Sequence, residues 1–127
     1  MGERSEAQVC IVDDGTRVMN EPAEDCDLIE VRVFVVNDGK VDVLDADLVT
    51  ELYDCKGVWI TQATKHFGSL PSGAKIAADF VFKAKPSCEC RLPLLTLPLK
   101  VPYGLKVWIH TFKNPGLKAE WRTTLAS

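Results

Sequence analysis

Apolar and polar residues alternate with a period of two along most of this chain. Over 28–37, Ile29, Val31, Val33 and Val35 share one side, and Glu30, Arg32, Phe34 and Val36 take the other. Over 46–53, Ala46, Leu48, Thr50 and Leu52 oppose Asp47, Val49, Glu51 and Tyr53. Over 75–83, Ile76, Ala78, Phe80 and Phe82 alternate with Lys75, Ala77, Asp79, Val81 and Lys83. Over 103–113, Leu105, Val107, Ile109 and Thr111 alternate with Lys106, Trp108, His110 and Phe112. Over 118–125, Trp121, Thr123 and Leu125 oppose Glu120, Arg122 and Thr124. Successive side chains of a strand point to opposite faces, so this pattern predicts half-buried strands. Residues 8–12 and 57–65, the latter rich in Val, Trp, Ile and Thr, bring the predicted strands to seven. No stretch carries a sustained helical period, so little or no helix is expected.

Turn residues separate the runs. Asn37-Asp38-Gly39-Lys40 follows the second strand, and Leu70-Pro71-Ser72-Gly73 precedes the fifth. Asp54-Cys55-Lys56-Gly57 and Asn114-Pro115-Gly116 stand at hairpin spacing. Strands this short, with a turn about every ten residues, predict a Greek-key β-sandwich. Arg91–Pro102 breaks the pattern. It is rich in leucine, and its three prolines each remove a ladder donor, so it is expected as an edge segment or crossover. Exposed, it would be an apolar ridge for a partner.

Composition narrows the class. The chain has 127 residues, 46% of them hydrophobic and 26% charged, with a formal net charge of −3. That suits one domain with a real core, over residues 8–127, preceded by a flexible stretch at 1–7. Two full domains, a disordered chain and a collagen-like chain are excluded. The charge argues against nucleic acid as a partner, which would require a basic face. Its distribution is uneven: residues 1–54 hold 15 acids and 4 bases, residues 55–127 hold 3 acids and 11 bases. Folding is expected to bring the two halves together as cross-strand pairs. The first residues show no apolar stretch of a signal peptide. Glu6 stands where an acylation signal needs Ser or Thr. The longest apolar run, Val33–Val36, is far too short for this segment to insert in a membrane.

The stretch from Val31 to Phe82 resembles the FxLYD domain and its relatives, the CARDB and fibronectin type III-like sandwiches. An apolar strand ends in Asn37-Asp38-Gly39, the next in Leu52-Tyr53-Asp54 with Gly57 after a short turn, and Gly68-Ser69-Leu70-Pro71-Ser72-Gly73 precedes another alternating strand. The resemblance implies an all-β, immunoglobulin-like Greek-key β-sandwich of about seven strands. It implies a module of an extracytoplasmic or membrane-tethered longer protein, with no catalytic residues. Asn37, Gly39, Tyr53, Asp54, Gly57 and Gly73 are then structural turn residues. The glycines are expected to supply left-handed backbone, and Asn37 and Asp54 to bond nearby amides.

Five cysteines depart from such modules. Cys10 with Cys26, and Cys55 with Cys88 or Cys90, are conceivable disulfides in an oxidising compartment, and the odd number leaves one thiol unpaired. Cys88-x-Cys90 is alternatively a zinc-ligand or thiol-redox pair, completed by Cys55, Cys10, Cys26, His66 or His110. No Cys-x-x-Cys repeat supports it. Asp38, Asp42, Asp45 and Asp47 are numerous enough for calcium, although the EF-hand pattern is absent and a solvated acidic loop is favoured. Ser69 and Ser72 lack a nucleophile elbow, and His66 and His110 lack an acid–base setting, so no enzyme and no cofactor are expected.

The expected function is non-enzymatic: protein–protein interaction, self-association or structural support. The expected contact region joins the last hairpin to Arg91–Pro102, through Leu95, Leu97, Leu99, Trp108 and Phe112. Because both sides of 103–113 are apolar, Trp108, His110 and Phe112 are expected to pack between the sheets. On the outer face, with Trp121 or its neighbours, they would instead form a recognition patch.

Overall fold

The computed structural model describes residues 8–21, 26–54, 56–84, 89–90, 99–100, 103–111, 113–114 and 117–125, with only the backbone of 20, 21, 89, 90, 99 and 100. In chain order the strands are β1 (Val9–Asp13), β2 (Arg17–Glu21), β3 (Cys26–Asn37), β4 (Val43–Leu44), β5 (Ala46–Tyr53) and β6 (Trp59–His66). They continue with β7 (Ser69–Leu70), β8 (Lys75–Ala84), β9 (Glu89–Cys90), β10 (Leu99–Lys100), β11 (Tyr103–Thr111) and β12 (Glu120–Leu125). No helix occurs among the described residues.

β3 is the spine of the first sheet. One of its edges pairs β8, from Asp27↔Ala84 to Val36↔Lys75. Its other edge pairs β1 over Val33–Asn37 and β2 over Cys26–Glu30. β1 and β2 are therefore one edge strand, interrupted where Asp14, Gly15 and Thr16 stand opposite Val31 and Arg32. That extra residue makes a β-bulge. Gly15 takes φ 110°, and the Asp13 carboxylate accepts the amides of Gly15 at 3.2 Å and Thr16 at 2.9 Å.

The second sheet has the order β12-β11-β5-β6, all antiparallel. The chain passes from β3 in the first sheet to β5 in the second, returns to the first at β8, and crosses again to β11. This is the Greek-key connection of an immunoglobulin-like sandwich. The seven strands predicted from alternation correspond to β1, β3, β5, β6, β8, β11 and β12. The short pairs β4–β7 and β9–β10 lie on the connections.

The core is built from the inward set of each alternating run. Ile29, Val31, Val33 and Val35 of β3 meet Leu48 and Leu52 of β5 and Val107 of β11, all essentially inaccessible. Burial of each such side chain contributes about 1.5–3 kcal/mol. A single cluster of buried residues spans both sheets.

Two readings change here, the Cys10–Cys26 pairing and the backbone of Gly39, while the aspartates follow the favoured reading of a solvated acidic loop. Cys10 lies opposite Val36, so the length of β3, roughly 33 Å at about 3.3 Å per residue, separates it from Cys26. A disulfide cannot bridge that distance. The four aspartates do not converge either. Asp38 meets the Cys10 thiol, Asp42 accepts the Ser72 amide, Asp45 pairs with Lys113 and Asp47 with His66. Among the described residues no three His, Cys, Asp or Glu side chains gather for a metal. Finally, Gly39 does not share the left-handed backbone of Gly57 (φ 80°) and Gly73 (φ 82°). Residues 1–7, for which flexibility is expected, and residues Cys55, Cys88, Leu95, Leu97 and Phe112 lie outside the described residues, as do the side chains of Cys90 and Leu99.

Candidate functional site

The outward set of β5, β11 and β12 forms one continuous face. Register sets Lys106 between Glu51 and Arg122, Trp108 between Val49 and Glu120, and Gly104 between Tyr53 and Thr124. On β6, His66 flanks Asp47 from one side while His110 flanks it from the other.

Trp108 is the centre of this face. It stands outside the sandwich, whereas Leu105, Val107 and Ile109 on the same strand are buried. Burial between the sheets is thus overturned: the strand has two apolar sides, but only the Leu105–Val107–Ile109 side faces the core. Trp108 covers Val49 directly opposite, which is buried although it points outward. The indole Nε1 donates to Glu51 Oε2 at 3.1 Å, and the ring meets His110 edge-on at a centroid distance of 5.9 Å. Trp121 is not part of this patch. It lies opposite Val107, on the inward side, and packs against the core.

The charges around Trp108 are tied to one another. Lys106 Nζ lies 3.1 Å from Glu120 and 4.0 Å from Glu51. The Arg122 guanidinium lies 3.0 Å from Glu120. Hydrogen bonds from Arg122 and then Lys106 hold the Glu120 carboxyl below its ordinary range. At the far end of the sheet, the ammonium of Lys113 does the same to Asp45, 2.6 Å away. The His66 Nδ1 lies 2.6 Å from Asp47.

A shallow groove of about 590 Å3 opens beside this network. Tyr53, Asp54, Lys106, Arg122 and Thr124 surround it, and Gly104 makes its floor. A Cβ at Gly104 would come 3.4 Å from Tyr53 Cβ, so the missing side chain lowers the floor. At the nearby hairpin end, Val58 is 58% and Trp59 51% exposed.

The turn residues serve architecture. Asn37 is fully buried; its Nδ2 donates to Val41 O at 2.9 Å and Leu70 O at 2.8 Å. Its Oδ1 accepts the Gly39 amide at 3.0 Å. Gly39 therefore serves by its N–H, with no special backbone. Asp54 Oδ1 accepts the amides of Lys56 and Val58. Glu51, Lys106, Glu120 and Arg122 were not singled out by sequence reasoning. Alternation does place them outward, but their mutual pairing requires the register of three strands.

No family model and no curated protein matches the chain. Among solved structures, the chain is similar to part of a β-glucuronidase from glycoside hydrolase family 2, at 18% identity and a TM-score of 0.68. That match covers 93% of this chain and 12% of the enzyme. A putative β-galactosidase from Bacteroides fragilis is similar at 18% identity and a TM-score of 0.66, over 94% of this chain and 18% of that one. The CARDB domain of a Pyrococcus furiosus protein is similar at 15% identity and a TM-score of 0.47, over 95% of this chain and 94% of the domain. The chain thus spans a small part of the two enzymes, and at these identities the likeness is one of fold. Strand order and those two matches together establish an all-β, immunoglobulin-like sandwich.

Proposed function

We propose that this chain is a non-enzymatic module that binds a protein partner through the outer face of its four-stranded sheet. The observation that carries this reading is Trp108, an outward indole held in one orientation by Glu51 and His110. Aromatic anchors of this kind, ringed by polar groups that exclude water, dominate the energetics of protein interfaces. Lys106, Arg122, Glu51 and Glu120 are bound to one another, which suits a rim better than acid–base chemistry. Sandwiches of this fold also occur as small parts of much longer proteins, which supports the role of a module.

The test compares the wild-type chain with Trp108→Ala and with Arg122→Glu as baits in an extract of the source organism. Proteins captured by the wild type are expected to be lost with both variants, whose thermal unfolding remains cooperative. Equal capture by all three would refute the role of this face. Turnover of an aryl glycoside panel above the uncatalysed rate would refute the non-enzymatic reading.

A further inference from the structure

Each sheet of a sandwich ends in strands whose outer N–H and C=O groups have no neighbouring strand to pair with. Native edges are guarded by charges, bulges or covering segments, and most edges of this molecule follow that rule. The β1–β2 edge is broken by the bulge at Asp14, Gly15 and Thr16. β8 carries Lys75, Asp79 and Lys83. β12 carries Glu120 and Arg122 and runs close to β1. β6 is the exception. Among the described residues it pairs only with β5, and its residues 60–64 include no charge, no proline and no glycine.

Register fixes which groups of β6 are free. The Phe67 amide donates to Ala46 O at 3.2 Å, which makes Ala46 and Phe67 a hydrogen-bonded pair in the continued β5–β6 register. Hydrogen-bonded and non-hydrogen-bonded pairs alternate along an antiparallel ladder. Thr61, Ala63 and Lys65 therefore bond β5, and Gln62, Thr64 and His66 turn their N–H and C=O groups away from it. An extended polypeptide backbone offers acceptors and donors at the matching intervals.

We infer that an extended acidic segment of a protein partner adds to β6 as an antiparallel fifth strand of this sheet. Lys65 sets the chemistry of that segment. It stands on the inward side opposite Leu48, yet it is exposed, and no carboxylate among the described residues pairs with it. A lysine at such a place opposes indiscriminate strand pairing. A carboxylate directly across from it turns the same residue into a selector. On the free edge Lys65 holds a non-hydrogen-bonded position, where facing side chains approach most closely. A second copy of β6 does not meet this need, because β6 contains no acid to set against Lys65 in any register. The partner strand has apolar residues across from Ala63 and Thr61, which lie on the core side. Edge groups and not Trp108 carry this inference, so it goes beyond the binding face proposed above and fails or stands separately from it.

The probe is the acetylated and amidated peptide Thr-Glu-Thr-Val-Thr-Val-Thr, whose glutamate falls across from Lys65 when its valines face Ala63 and Thr61. Amide NMR of the chain is expected to show saturable shifts centred on Gln62, Thr64 and His66, with a dissociation constant on the order of 1 mM. The same peptide with Lys in place of Glu is expected to bind about threefold more weakly. Lys65→Glu, at an exposed position, is expected to reverse that preference. Thr64→Pro removes a free-edge N–H without touching the β5 ladder and is expected to abolish the shifts. Trp108→Ala is expected to leave them unchanged. Thermal unfolding checks that each variant is folded; should Thr64→Pro not fold, the charge exchange at Lys65 decides. An absence of shifts, equal binding of the two peptides, or shifts that Trp108→Ala removes would overturn the inference. Shifts of the same amides on concentrating the chain alone would assign the edge to a second copy and overturn it as well.

Discussion

Thr50 shows how a single residue can follow the pattern of its strand and still be badly served by its surroundings. It sits on the inward side of β5 and is fully buried, and its hydroxyl finds no partner among the described residues. An unsatisfied buried hydroxyl carries its full desolvation cost. Replacing it by an apolar group of the same shape removes that cost without opening a cavity. Thr50→Val is therefore expected to stabilise the fold by about 1 kcal/mol. Urea unfolding measures this directly; a loss of stability would mean that the hydroxyl is bonded. Asn37 is the opposite case. It is also fully buried, but its side chain bonds Val41, Leu70 and Gly39 and so joins three segments at one end of the sandwich. The turn character of Asn37 was legible in its Asn-Asp-Gly setting. Its distant partner Leu70 was not, because a turn pattern reports only local bonds.

At the scale of the element, alternation identified β3, β5, β8 and β11 well, since each has one face on the core. It missed β2. There Arg17 and Met19 face outward and only Val18 adds to the core, so the period has almost nothing to mark. The bulge that separates β1 from β2 was equally hidden, although Asp13-Asp14-Gly15-Thr16 supplies its chemistry. Desolvation pushes the Asp13 carboxyl upward, but hydrogen bonds from Thr16, Gly15 and Asp14 outweigh it and hold the pKa below the ordinary 3.8. A depressed carboxylate pKa contributes stability above the unfolded-state value, and that contribution is lost as pH falls through the folded value. The stability difference between the wild type and Asp13→Ala is therefore expected to be full near neutral pH and to shrink below about pH 4. Thermal unfolding across that window checks it; a difference that stays constant would remove the carboxylate from the account.

For the whole molecule, the polar link between the two sheets is as informative as the core. Tyr103, at the start of β11, donates its hydroxyl to Asp27 Oδ2 of β3 at 2.8 Å, and Asp27 is only 3% exposed. Burial first, and then the Asp27 hydrogen bond and charge, raise the Tyr103 phenol well above its ordinary 10.0. A raised folded-state pKa gives stability that is complete below the unfolded value and is lost as pH rises towards the folded one. Stability is thus expected to fall above about pH 10 in the wild type, with a weaker fall in Tyr103→Phe. That variant is also expected to lose about 1–3 kcal/mol at neutral pH by removing a partner from a buried carboxylate. Chemical unfolding at both pH values measures the two effects; an unchanged alkaline slope in the variant would count against the assignment. The uneven charge along the chain resolves only in part at this scale. Glu51 and Asp45 from the acidic half meet Lys106 and Lys113 from the basic half. Arg17 with Glu30 and Arg122 with Glu120 stay within their own halves.

The alternation of side chains determined, from the sequence by itself, that this is a two-layer β protein, and it divided most of the long strands into two facing sets, leaving the core-facing side of β11 to the structure. Facing direction is a local property: a strand turns each side chain by half a revolution from the last, so one buried residue predicts the next. What only the tertiary structure decided is which side chains meet. The outward facing of Trp108, the separation of Cys10 from Cys26, the Tyr103–Asp27 link and the apolar outer face of β3 all depend on register and sheet order. Those are set by contacts between residues distant in the chain, and no local period carries them.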